Sequence, residues 1–148
     1  MTIFTIGFTK KSAEEFFNRL KQAGVLRLID VRLNNTSQLA GFTKKDDLRY
    51  FAHEICGIDY LHLPELAPTQ EMLDDFKKRN GDWEAYERRF LDLLRERRVD
   101  SELSSLSSAT LDHACLLCSE AKPNHCHRRL VAEYLAEKWS GVRIEHLL

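Results

Sequence analysis

The chain has no run of apolar residues approaching the roughly 18 that a spanning helix requires, so it is not expected to enter a membrane. Its first residues, MTIFTIGF, carry neither a basic leader nor a long apolar segment, and the cytoplasm is the expected location. Proline and glycine are scarce, at three and six residues, and neither a low-complexity linker nor an internal repeat interrupts the sequence. An excess of charge is missing too: 22 Lys and Arg against 23 Asp and Glu leave a formal charge of −1, which gives no overall field toward nucleic acid. A nucleic-acid partner is therefore only weakly supported. Four cysteines, Cys56, Cys115, Cys118 and Cys126, are too few and too unevenly spread to staple the chain, and reduced thiols are the expectation.

What remains is an ordinary globular composition, 43% hydrophobic and 30% charged, over 148 residues, the size of one domain. Five short apolar runs, at residues 2–7, 25–31, 58–63, 113–118 and 142–147, alternate with amphipathic segments. Ser12 with Glu15 has capping-box spacing and opens a helix that Gly24 closes. Thr43 with Asp46 repeats the pattern, and Leu48, Phe51, Ala52 and Ile55 form that helix's apolar face before Gly57. Residues 69–98 are helical in period but broken by Asn80-Gly81-Asp82, with Tyr86, Phe90, Leu93 and Leu94 inward on the second helix. The serine-rich stretch from Asp100 to Ser108 reads as a helical turn or a loop. A last helix starts near Cys126.

Strands separated by helices join most simply as right-handed crossovers. The expected fold is a single α/β domain over residues 1–148, a Rossmann-like three-layer sandwich with a mostly parallel five-stranded sheet. Ligands of such sheets lie beyond the carboxyl ends of the strands, here Gly7-Phe8-Thr9, Asp30-Val31-Arg32, Leu63-Pro64-Glu65 and Cys118-Ser119-Glu120.

The densest chemistry is in LLCSEAKPNHCHRRLVAEYL, residues 116–135. Cys118 falls at a strand end and Cys126 at a helix start, where unpaired N–H groups and the helix dipole favour a thiolate or an anion. Two cysteines, an acid, a histidine and an arginine converge there, which outweighs the simpler reading that Cys126 and His127 only cap and pack the helix. Cys115 and Cys118 have C-x-x-C spacing, but residues three apart on a strand face opposite ways. Cys115 therefore reads as core, and no metal is assigned. Arg32 needs a partner if buried, and Asp30 lies two residues away on the same face. The pair is either an internal ion pair or an anion-holding fork oriented by its acid. His53, His62, His113 and His146 read as structural or surface residues, and the basic run Arg88–Arg89 and Arg95–Arg98 as a solvated face.

With these motifs in view, the chain resembles the bacterial proteins grouped as domain of unknown function 488. The likeness runs from the first strand to the last helix and is most specific in C-x-E…C-H-R, met by Cys118, Glu120, Cys126, His127 and Arg128. The family's D-V-R is met by Asp30, Val31 and Arg32, and its following serine by Ser37. Two departures stand out: Ile6-Gly7-Phe8-Thr9 where I-G-H-S is common, and Pro64-Glu65-Leu66-Ala67 where a glycine pair often follows the third strand. The resemblance implies a Rossmann-like fold and a shared polar pocket, and no reaction. LIDVR also resembles the rhodanese sulfurtransferases, but Cys118 and Arg128 stand ten apart, too far for their nucleophile loop.

The resulting expectation is an enzyme-like protein using thiol chemistry on a small anionic substrate. Cys118 or Cys126 acts as nucleophile, Glu120 or His127 manages protons, and Arg128 and Arg32 bind charge, with Asp30, Ser37 and Thr9 beside them. A non-catalytic module holding a phosphate-bearing ligand or nucleic acid at Arg128 and Arg32 is the alternative. A zinc or iron site on Cys118, Cys126 and a histidine is the third reading. The cofactor is unknown, and the oligomeric state, homodimer included, stays open.

Overall fold

The apolar runs become strands of one sheet: β1 (Thr2–Gly7), β2 (Arg27–Asp30), β3 (Asp59–His62), β4 (Ala114–Cys118) and β5 (Arg143–Leu147). These come from a computed structural model that describes residues 1–35, 41–99, 107–120 and 122–148. All four pairings are parallel, in the order β3-β2-β4-β1-β5. The sheet is thus wholly rather than mostly parallel. It differs from the dinucleotide-binding order in that β4 stands between β2 and β1. The chain moves outward from β1 through β2 to β3, then returns to lay β4 and β5, so its crossovers reverse direction beside β4. Gly7 pairs with Cys118, and Asp30 with Leu117, which brings three carboxyl ends level.

Helices lie on both faces. On one, Phe4, Ile6, Leu28, Cys115 and Leu117 pack against α1 (Ala13–Ala23) and α2 (Lys45–Phe51) through Phe16, Phe17, Leu20 and Leu48. On the other, Ile3, Ile29, Leu116 and Cys118 pack against α3 (Gln70–Lys77), α4 (Trp83–Arg97) and α6 (His127–Ala136), with the short α5 (Ser108–Leu111) beside them. Strand alternation accounts for the division: Cys115 and Cys118 do point to opposite faces.

Ser12 caps α1 as its spacing predicts, its Oγ accepting from the Glu15 N–H at 3.1 Å, and Gly24 closes the helix at φ 76°. Asp82 caps α4 in the same way, accepting from the Ala85 N–H at 3.1 Å. The second helix differs from expectation. Thr43 is drawn, buried, into a 3-10 turn (Gly41–Thr43), where its carbonyl accepts from Arg32 Nη2 at 2.7 Å, so Lys44 takes the cap position. Beyond Phe51 the helix widens into a π turn, Ala52–Cys56, which rotates the following positions. Ile55, expected on the inner face, is consequently 43% exposed. Most of the Asp100–Ser108 stretch lies outside the described residues.

Candidate active site

Cys118 ends β4 and is one of the residues lining a cavity of about 200 Å³ at the carboxyl end of the sheet. Cys126 occupies the N-cap position of α6 in extended conformation, φ −133° and ψ 135°, and His127 is the first residue of that helix. Cys118 Sγ lies 3.6 Å from His127 Nδ1, and the two sulfurs and a ring nitrogen of His127 all fall within 4.8 Å of one another. The tautomer of His127 follows from its other contact. Nε2 lies 2.7 Å from the Val31 carbonyl, which can only accept, so Nε2 carries a proton and Nδ1 faces the sulfur.

This arrangement polarises the two thiols in opposite directions. The Cys126 thiol donates to Cys118, and with positive charge on His127 and the Ser119 N–H it holds Cys118 well below the ordinary thiol range despite burial. Burial, reinforced by the negative Cys118 to which it donates, pushes Cys126 well up. Burial alone would lower His127, but the charge on Cys118 and bonds to Cys118 and Val31 raise it. Of the two sulfurs on the floor of the cavity, Cys118 is therefore the one whose thiolate its neighbours favour. Cys115, on the opposite face, is pushed up by burial and stays a thiol.

Asp30 and Arg32 form the second element. Asp30 is fully buried and accepts from Arg32 Nε at 2.9 Å, Arg32 Nη2 at 2.8 Å and the Arg32 N–H at 3.1 Å. Tyr60 Oη donates to it at 2.5 Å. Arg32 also stands over the Phe8 ring, 5.3 Å from its centroid, and borders the cavity. The internal ion pair expected of Asp30 and Arg32 is formed. Two of the Arg32 nitrogens hold Asp30, while Nη1 has no partner among the described residues.

Of the other expected residues, Glu120 lies at the cavity rim, half-exposed, with Lys77 Nζ at 3.1 Å. Thr9 Oγ1 donates to the Ser119 carbonyl at 2.5 Å and so ties the β1 turn to the β4 loop. Ser37 lies outside the described residues. Arg128 is not among the residues lining the cavity. It is fully buried beneath the cysteine loop, its Nε donating to Thr5 Oγ1 at 3.3 Å and its Nη1 to the Glu120 carbonyl at 2.6 Å, while Nη2 has no partner among the described residues. Gly7 makes this clamp practicable, since a Cβ there would stand 1.6 Å from the Glu120 oxygen.

The reading by motif missed the cavity wall. Phe76, Trp83, Tyr86 and His125 form it, with Trp83 stacked on His125 at 4.9 Å and on Tyr86 at 5.1 Å. Phe76 lies in the last turn of α3 and Trp83 begins α4, so the Asn80-Gly81-Asp82 break that places both was the available signal. Tyr86, expected only to fill the core, lines the cavity. Burial first, then the nearby charge of Cys118, push its phenol up, so it keeps its proton. Its Oη has no hydrogen-bond partner among the described residues.

Cys118, Cys126 and His127 are also the one set of three or more metal-type donors close together among the described residues. With Zn–S of about 2.3 Å and Zn–N of about 2.05 Å, tetrahedral geometry puts sulfur and nitrogen about 3.6 Å apart. The Cys118–His127 separation is that distance.

No helix among the described residues is long and apolar enough to cross a membrane. A family model described as "Domain of unknown function DUF488" matches residues 12–135, a span that holds Asp30, Arg32 and the whole cysteine segment. Among curated proteins and solved structures, none matches.

Proposed function

This chain belongs to the DUF488 family, and from that premise we propose that it is an enzyme that uses Cys118 as a nucleophile on a small anionic substrate. The observation that carries the reading is the Cys118 sulfur on the cavity floor, with the Cys126 thiol and the His127 imidazole both turned toward it. The thiolate is the reactive form of cysteine, and both neighbours favour it. The Nε2–H bond to Val31 orients His127 so that Nδ1 faces the Cys118 sulfur, and a proton carried on Nδ1 can pass to a leaving group there. The unpartnered Nη1 of Arg32 and the Lys77 ammonium supply positive charge at the rim for an anionic substrate group, and the aromatic wall takes its apolar part. Arg128, which does not border the cavity, acts in this reading by holding the loop rather than the ligand.

Alkylation by iodoacetamide across pH, read residue by residue by mass spectrometry, tests the proposal. Because Cys118 ionises below the ordinary range, its rate should persist as pH falls past that range and be lost only at the lower value. A free thiol loses about tenfold per pH unit below its pKa of about 8.5. A Cys118 rate that tracks free cysteine eliminates the nucleophile.

The sulfur-to-nitrogen spacing and the His127 tautomer favour a second reading, a zinc centre on Cys118, Cys126 and His127 with one position open to the cavity. Elemental analysis of protein purified without chelator decides between them. Equimolar zinc, with Cys118 protected from alkylation until the metal is removed, supports the centre, and metal-free protein with a reactive Cys118 excludes it.

A further inference from the structure

A single activated thiol needs no second sulfur beside it, yet Cys126 stands within 4.8 Å of Cys118 and borders the same cavity. Among the described residues no strand or helix stands between the two in sequence. A third group, Tyr86, lines this cavity, and its hydroxyl has no hydrogen-bond partner among the described residues.

We propose that Cys118 and Cys126 form a two-electron dithiol pair that reduces a small organic hydroperoxide, with Tyr86 as hydrogen-bond donor to the peroxide oxygen. The inference rests on the reading of Cys118 as the reactive thiol and names its substrate class. In the first step the Cys118 thiolate attacks the terminal peroxide oxygen. An S–O bond forms, the O–O bond breaks, and the alkoxide leaves with the proton from His127 as an alcohol. In the second step Cys126 loses its proton to His127 and attacks the Cys118 sulfenic acid. The S–S bond forms, and the departing hydroxide takes that proton as water. Two thiols and one hydroperoxide become one disulfide, one alcohol and one water, and an external dithiol restores the pair.

The choice of hydroperoxide over a disulfide substrate follows from the donors and the space. An alkoxide is a poor leaving group and needs a proton or a hydrogen bond as it departs, which is what His127 and Tyr86 offer beside the sulfur. A thiolate departs without such help, and a disulfide must bring two substituents in line with Cys118. About 200 Å³ walled by Phe76, Trp83 and Tyr86 suits one compact apolar body.

The test is single-turnover reaction of the reduced full chain, freed of reductant, with cumene hydroperoxide. The expected products are equimolar cumyl alcohol and a chain lighter by two hydrogens, with a Cys118–Cys126 crosslink in its peptides. C126S should stop at the sulfenic acid, trapped on Cys118 by dimedone, and C118S should consume no peroxide. Y86F should slow oxidation by peroxide about tenfold more than it slows alkylation by iodoacetamide. Rapid alkylation of Cys118 with no alcohol formed would overturn this inference and leave the thiol reading intact, whereas failure of both removes both. A disulfide to Cys56 or Cys115, or between chains, also overturns it, and an unslowed Y86F removes Tyr86 from the step.

Discussion

Replacing Asp30 by asparagine keeps the volume of the side chain and removes the charge on which its surroundings depend. The carboxylate has no exposed surface and accepts four hydrogen bonds, three from Arg32 and one from Tyr60. An amide can accept on one oxygen only, and its NH2 would face a guanidinium and a hydroxyl, donor against donor. Arg32, itself 5% exposed, would keep its charge with no counter-ion. Removing one partner of a buried ion pair costs about 3–5 kcal/mol. For a chain of this size that lowers Tm by about 10–15 °C. Y60F removes the bond to the charged group, worth about 1.5–3 kcal/mol, and with it the longer bond that Tyr60 Oη accepts from Asn35. Because Asp30 joins both, the losses in the double variant should sum to less than the two singles. Urea unfolding at neutral pH, followed by tryptophan fluorescence, reads all three. A D30N variant within about 1 kcal/mol of the parent, or strict additivity with Y60F, refutes the account of this network.

Two further outcomes are expected. G7A forces a methyl into the Glu120 carbonyl, so it should destabilise by about 1–3 kcal/mol or more in thermal melts and change the alkylation rate of Cys118; an unchanged rate would show that the clamp does not set the site. Cys115, whose thiol is pushed up by burial, should resist alkylation in native protein at any pH up to the ordinary thiol range and react only on unfolding, and early labelling would contradict its placement.

The sheet and the site floor were legible in the sequence because their signals are local. Alternating apolar runs mark strands, a strand end followed eight residues later by a helix start brings Cys118 and Cys126 together, and period-two alternation turns Cys115 away. The π turn that exposes Ile55 leaves no such local trace, since it depends on how α2 meets β3. The role of Arg128 was equally hidden. From sequence it was one more cation beside the cysteines, and only the close approach of β1 to the cysteine loop draws it under Glu120. Tyr86 had the spacing of a core residue, and whether a tyrosine at such a position ends in hydrocarbon or on a cavity is decided by the hairpin of α3 and α4.

The Glu120 carbonyl is pinned between a strand that lacks a side chain and a guanidinium that comes up from below, on the far side of the loop from the cavity. The peptide linking the two sulfurs is therefore anchored by groups that a ligand does not touch. Changes in the aromatic wall can alter which molecules enter while the reactive atoms keep their spacing, and changes at the anchor can alter that spacing while the wall stays as it is. Selectivity and reactivity can in this way vary separately within one small chain.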